Sequence, residues 1–208
     1  MSRPDTARRM AVIRRAVAFV GGFILAAGAA FAQSSADPSR GEAKAAACSA
    51  CHGSPERLPV AGTPFLAGQQ EEFTVLQMFL LREGVRDVPQ MAGMLSGFSD
   101  RDLIDVAAYF ARQAPPRSNA KPDPGLRARG AALSKAMGCG SCHLADYRGQ
   151  KQVPLLSNQR EDYLVASLKA YRDNKSTGPD TTMNGVLYRM ADSDIQALAH
   201  YLANVSEK

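Results

Sequence analysis

The sequence predicts an all-α protein of two tandem domains. Three observations predict it. The motif C-x-x-C-H occurs twice, 91 residues apart, and the segments after each copy align with one another at offsets of 90 to 92. Apolar residues in those segments recur at helical rather than alternating spacing, and no stretch reads as a convincing strand. Between the repeats, residues 114–125 hold four prolines and no large apolar side chain, the composition of an extended linker.

Residues 1–32 read as an export signal. Arg3, Arg8, Arg9, Arg14 and Arg15 form a basic start, and Ala16 to Ala32 follow without a polar side chain. Ala30-Phe31-Ala32 is a small-x-small sequence that predicts cleavage after Ala32 and delivery to the periplasm. The apolar run of 17 residues is at the lower limit for a membrane span, so cleavage is favoured over anchoring. Without this leader the chain has 20 Lys and Arg against 19 Asp and Glu, and the net charge falls from +5 to +1. Nothing in that balance points to nucleic acid.

The two domains are then residues 33–113 and 126–208. Domains of about 80 residues bury too little apolar surface to be secure on that account alone and usually carry a staple. In the first, Ser39 to Ala47 predicts a helix leading into Cys48, residues 69–83 a middle helix, and Ser99 or Asp100 the cap of a last helix. In the second, the corresponding elements are Leu126 to Met137, residues 159–173, and a last helix capped by Asp192, with Ile195, Leu198, Ala199 and Leu202 at helical spacing.

The repeated motifs are Cys48-Ser49-Ala50-Cys51-His52 and Cys139-Gly140-Ser141-Cys142-His143, the attachment sequence for a c-type haem. Two thiols three residues apart lie on one helical turn, where each can form a thioether to a haem vinyl group. The histidine that follows offers its imidazole to the iron. The chain is therefore expected to carry two covalently attached haem c groups, with His52 and His143 as iron ligands. Zinc sites and thioredoxin-like pairs also use C-x-x-C. Neither calls for a histidine after both pairs, and the βαβ context of a thioredoxin is missing.

The second axial ligand is sought among the methionines, whose thioether suits haem iron and raises its potential. Met91 aligns with Met183 at an offset of 92, whereas Met94 aligns with Val186, Met190 with Phe98, Met78 with Leu168 and Met137 with Ala46. Met91 and Met183 are thus the expected ligands, with Met94 and Met190 as stand-ins and core filling as the competing role. Pro64 and Pro154 occupy matching places from which a carbonyl can accept the other ring N–H of the histidine, or they simply shape a loop. His200 aligns with Ala108 and reads as a surface or interface residue. Tyr109 and Tyr201 read as helix-packing aromatics.

These residues resemble the dihaem cytochrome c4 family, two class I cytochrome c domains in tandem. The resemblance rests on the paired motifs, Pro64 to Gln69, Met91 seven residues before Phe98, and the ending Ser99-Asp100-Arg101-Asp102-Leu103 then Ala107 to Ala111. The second half departs from it with Ser157-Asn158 in place of Ala67-Gly68, with Met190-Ala191-Asp192, and with a more polar stretch over residues 174–182. It implies His/Met ligation at both irons, haems facing each other across the domain interface, and soluble or loosely membrane-associated electron transfer in the periplasm.

An iron held by His and Met has no open position, so the expected function is that of an electron carrier and not an enzyme, with no catalytic residue. Electrons would pass from respiratory donors to an acceptor such as a terminal oxidase. The alternative is the haem-bearing subunit of a periplasmic, flavocytochrome-like dehydrogenase. A small dihaem peroxidase or sensor needs one five-coordinate iron, against which both methionines stand. Residues 33–113 carry a net charge of −3 and 126–208 a net charge of +3, which predicts attraction between the domains and orientation on charged redox partners.

Overall fold

The computed structural model describes residues 35–54, 57–114, 122–176 and 181–205. The expected signal peptide and its cleavage site, with most of the expected linker, lie outside them. The described helices are α1 Pro38–Ala45, α2 Ser49–His52, α3 Glu71–Arg82, α4 Asp100–Ala111, α5 Pro124–Ala136, α6 Gly140–His143, α7 Glu161–Arg172, α8 Thr182–Leu187 and α9 Asp192–Ala203, with a 3-10 turn at Pro89–Met91. Among the described residues there is no strand, only isolated bridges at Ser54 with Arg57 and Gln150 with Val153. None of these helices is long and apolar enough to cross a membrane.

Each half uses the same three-helix arrangement. The helix before the motif packs across the last helix, α1 on α4 and α5 on α9, and the middle helix lies against that last helix, α3 on α4 and α7 on α9. Around this frame the first half buries Met78, Leu95, Leu103, Val106 and Phe110, and the second buries Leu164, Leu168, Leu187, Ile195, Leu198 and Leu202. Glycines set how closely the crossings approach. A Cβ at Gly41 would sit 2.0 Å from the Asp105 carbonyl oxygen, and one at Gly130 would sit 2.1 Å from the Ala197 carbonyl oxygen.

Helix starts follow local chemistry. Asp37 accepts from the Ser39 and Arg40 amides ahead of Pro38, and Asp123 accepts from the Leu126 amide, so α5 begins at Pro124, inside the expected linker. Ser99 and Asp102 form a reciprocal capping box at α4. The second half differs from expectation here. Ala191, not Asp192, is the cap of α9, without a side-chain bond, and Asp192 instead lies in the first turn and pairs with Lys169 and Arg172. A carboxylate there suits the positive end of the helix as well as a cap would.

Polar residues also fasten the first helix of each half to its last. Asp105, with no exposed side-chain surface, accepts from the Asp37 amide at 2.7 Å and from Arg40 Nε at 2.6 Å. Burial would raise its pKa, but the Asp37 amide and the nearby guanidinium groups outweigh it and hold the carboxyl below its ordinary range. In the second half His200 takes this place and corrects the surface assignment. It is buried, with Nε2 accepting from the Asp123 amide and Nδ1–H donating to Glu161, both at 2.9 Å. Its alignment with Ala108 hid this role, because the first half uses a different position on the helix for the same tie.

The halves meet within one compact unit, Ala36–Lys208. Gln69 accepts from the Leu155 amide at 2.7 Å and donates to the Leu155 carbonyl at 3.2 Å. Gln159 does the same to Phe65, at 2.8 and 3.1 Å. Flanking bonds run from Gln70 to the Arg148 carbonyl, from Arg160 to the Pro59 carbonyl and from the Gly62 amide to Asp162. Each of these contacts joins a side chain to a backbone group, and none joins two charged side chains. Near-symmetric hydrogen bonding thus joins the two halves.

Candidate functional site

The C-x-x-C-H residues form a helical turn at the end of the first helix of each half. Cys48 has helical dihedrals of −65° and −36°, and His52 N–H donates to its carbonyl at 2.9 Å. Cys139 has dihedrals of −53° and −38°, and His143 N–H donates to its carbonyl at 3.1 Å. None of the four cysteines is paired in a disulfide, which suits thioether formation. Burial pushes the Cys48 thiol up from its ordinary value, while Cys51 and Cys142 are exposed.

The backbone then reverses so that a proline carbonyl reaches each histidine. Gly53 has φ of +83°, and a Cβ there would meet the Arg57 carbonyl oxygen at 2.6 Å. Leu144 holds the matching position at φ of +68°. Beyond these turns Val60 N–H bonds to the Cys51 carbonyl and Gly149 N–H to the His143 carbonyl. His52 Nδ1 lies 2.9 Å from the Pro64 carbonyl oxygen, and His143 Nδ1 lies 2.9 Å from that of Pro154. A carbonyl can only accept, so Nδ1 carries the proton and Nε2 presents its lone pair. Burial lowers the pKa of both histidines, against the smaller opposing effect of the proline carbonyl, and keeps the rings in their neutral, metal-binding form. Of the two roles considered for the prolines, the hydrogen-bonding one is present in both halves.

The methionines differ in their surroundings. Met91 ends the 3-10 turn and is half-buried, and Met183 is half-buried in α8 against the second core. Met183 therefore sits on a short helix. Of the stand-ins, Met94 is 49% exposed, and Met190 packs partly buried against the core at the start of α9. Just past each methionine segment an arginine of the middle helix anchors the chain. Arg82 Nη1 donates to the Phe98 carbonyl at 3.0 Å, and Arg172 Nη1 donates to the Met190 carbonyl at 3.1 Å.

Sequence reading missed Arg82 and Arg172, and it gave no role to Gln69 and Gln159. The signal was available, since both pairs stand at the offset of 90 that also relates Pro64 to Pro154. Tyr201 packs edge-on against Tyr147 with centroids 5.7 Å apart, and burial with the neighbouring Tyr147 hydroxyl pushes its phenol up to about 12. Tyr109 packs edge-on against Phe110. Both tyrosines are the packing aromatics that the sequence predicts.

The donor set fits a covalently attached haem in each half: two cysteines on one turn, followed by a neutral imidazole whose Nε2 is available. Two such helical units in one chain define a dihaem c-type cytochrome. The Cytochrome c family model matches residues 127–206. Cytochrome c4 of Pseudomonas aeruginosa is 35% identical over 182 residues, covering 82% of this chain and 90% of that protein. The crystal structure of reduced recombinant cytochrome c4 from Pseudomonas stutzeri matches with a TM-score of 0.75 and 32% identity, covering 83% of this chain and all of that one. A protein of Thiomonas intermedia named as a thiosulfate dehydrogenase electron acceptor is 32% identical over 202 residues, covering 90% of this chain and 88% of its own. The chain belongs to the cytochrome c4 family. It is a dihaem electron-transfer cytochrome with two covalently attached haem c groups and redox partners, and it is not an enzyme.

Proposed function

We propose that this protein carries electrons in the periplasm from a respiratory donor to a terminal oxidase, with Cys48, Cys51, His52 and Met91 holding one haem and Cys139, Cys142, His143 and Met183 the other. When bound, a haem supplies an iron that cycles between two oxidation states. The supporting observation is that His52 and His143, at the same place in both halves, are neutral and fixed by a proline carbonyl with Nε2 left to bind iron. This carbonyl contact fixes ring orientation and raises the basicity of the ligand. Met91 and Met183 would close the sixth position, where a thioether raises the potential and excludes exogenous ligands. Leu58, Val60, Val186 and Tyr188, large apolar side chains beside these segments that the protein core leaves exposed, suit contact with a macrocycle. Removal of residues 1–32 after export would leave the two domains 33–113 and 126–208, joined by residues 114–125, with opposite net charges available to orient charged partners.

A second reading, acceptor for a periplasmic dehydrogenase, draws on the Thiomonas relative named as a thiosulfate dehydrogenase electron acceptor. Stopped-flow exchange separates the two. The reduced dihaem protein is mixed with a cytochrome-c-oxidising terminal oxidase, and the oxidised protein with a thiosulfate dehydrogenase and thiosulfate. Rapid oxidation by the oxidase, at a rate that falls as salt is raised, is expected. Reduction by the dehydrogenase without oxidation by the oxidase would transfer the assignment to the second reading. Exchange with neither would contradict both.

A further inference from the structure

The junction glutamines and the iron-binding histidines share a peptide group. The carbonyl of the Pro64–Phe65 peptide accepts His52 Nδ1–H at 2.9 Å, and the amide N–H of the same peptide donates to Gln159 Oε1 at 2.8 Å. In the other half the Pro154–Leu155 peptide accepts His143 Nδ1–H at 2.9 Å and donates to Gln69 Oε1 at 2.7 Å. We propose that Gln159 and Gln69 are positioning residues that tune the haem of the opposite half, each acting through one peptide group on that half's histidine. The proposal rests on the assignment of His52 and His143 as iron ligands.

The direction of the effect follows from hydrogen-bond polarisation. An amide whose N–H is engaged by an acceptor has a more negative carbonyl oxygen, so it takes a stronger bond from the next donor. Here that donor is the histidine Nδ1–H. A stronger bond gives the ring more imidazolate character, which favours the oxidised iron and lowers its potential. Each glutamine thus holds down the potential of the haem bound by the other domain.

The glutamines are built to do this with little freedom. Gln159 is 3% exposed and Gln69 is 6% exposed. Each Oε1 also accepts the following backbone amide, Arg160 or Gln70, at 2.9 Å, while each Nε2 returns to the carbonyl of the residue across the junction. The chain just before each glutamine is pinned to the last helix of its own half, by Gly68 N–H to the Phe110 carbonyl and Asn158 N–H to the Leu202 carbonyl. Small displacements of one domain against the other, such as a docking partner could impose, would lengthen both relays together.

The test uses the holoprotein with Gln159→Met and, reciprocally, Gln69→Met, because methionine keeps the length and unbranched shape while removing acceptor and donor. Potentials are measured by spectroelectrochemistry, and the histidine ring protons of the reduced protein by NMR. Gln159→Met is expected to raise the potential of the haem bound by His52 and weaken the hydrogen bond of its Nδ1–H, seen as an upfield shift, with the His143 haem much less affected. Gln69→Met should do the converse. Equal movement of both haems, movement confined to the mutated half, or no movement would overturn the relay. In the unaltered protein, absence of ring-current-shifted resonances from His52 and His143 would instead overturn the ligand assignment and the relay with it. If one variant fails to fold, the other decides the question.

Discussion

Gly130→Ala is expected to lower the thermal midpoint of the holoprotein by roughly 4 to 8 °C. A Cβ at this position would stand 2.1 Å from the Ala197 carbonyl oxygen, 2.5 Å from Tyr201 Cβ and 2.8 Å from the Ala197 carbonyl carbon. Two of these atoms are backbone of α9, so relief requires the helices to separate. Overpacking of this kind costs about 3 kcal/mol or somewhat more, against about 1 kcal/mol gained by placing alanine rather than glycine in a helix. The clash wins, and the remaining loss converts at about 2 to 4 °C per kcal/mol for a cooperative unit of this size. Gly41→Ala should behave alike, because its Cβ would meet the Asp105 carbonyl oxygen at 2.0 Å. Gly185→Ala supplies the contrast. It lies in α8 with no protein atom within 4 Å of an added Cβ, so its midpoint should fall far less than those of the other two. Calorimetry of the three variants checks this, and equal midpoints would show that the helix crossings tolerate a methyl group.

Met183→Ala is expected to leave both haems attached while opening one iron. In the proposed assignment, attachment rests on Cys139 and Cys142, which the substitution does not touch. Loss of the thioether should lower the second haem's potential by a substantial part of the roughly 0.8 V that axial ligands command across haem proteins. Carbon monoxide should then bind that haem and leave the other unaltered. Met190→Ala is the matched control, since Met190 packs at the start of α9 and lends only its backbone carbonyl to Arg172. It should reduce stability while keeping the second haem's potential within the spread of repeated titrations. If instead the potential falls in Met190→Ala and holds in Met183→Ala, the sixth ligand is Met190.

The helices were legible because their signals are local. Apolar spacing, Ser99 three residues before Asp102, and alanine-rich sequence before Cys48 each act within a turn or two. The histidine and proline pairs were legible because duplication repeats them at nearly one offset. What the sequence hid depends on groups that meet only after folding. Gly41 and Gly130 do the same work but lie 89 residues apart, out of step with the motifs at 91, because α5 is longer than α1. Asp105 and His200 fasten the same pair of helices from positions that do not align. The glutamines were visible as a repeat, yet their partners are backbone groups across the junction, and backbone groups leave no mark in sequence.

The central claim is that two irons are each closed by a histidine and a methionine. It is tested most directly by the visible spectrum of the reduced protein, matured in a host that exports and attaches haem, with and without carbon monoxide. Sharp c-type bands equivalent to two haems per chain, unchanged by carbon monoxide, are predicted. A carbon monoxide shift in about half of the absorbance would reveal one open iron and contradict the closed-carrier account. Absence of a c-type spectrum would contradict the assignment of both motifs.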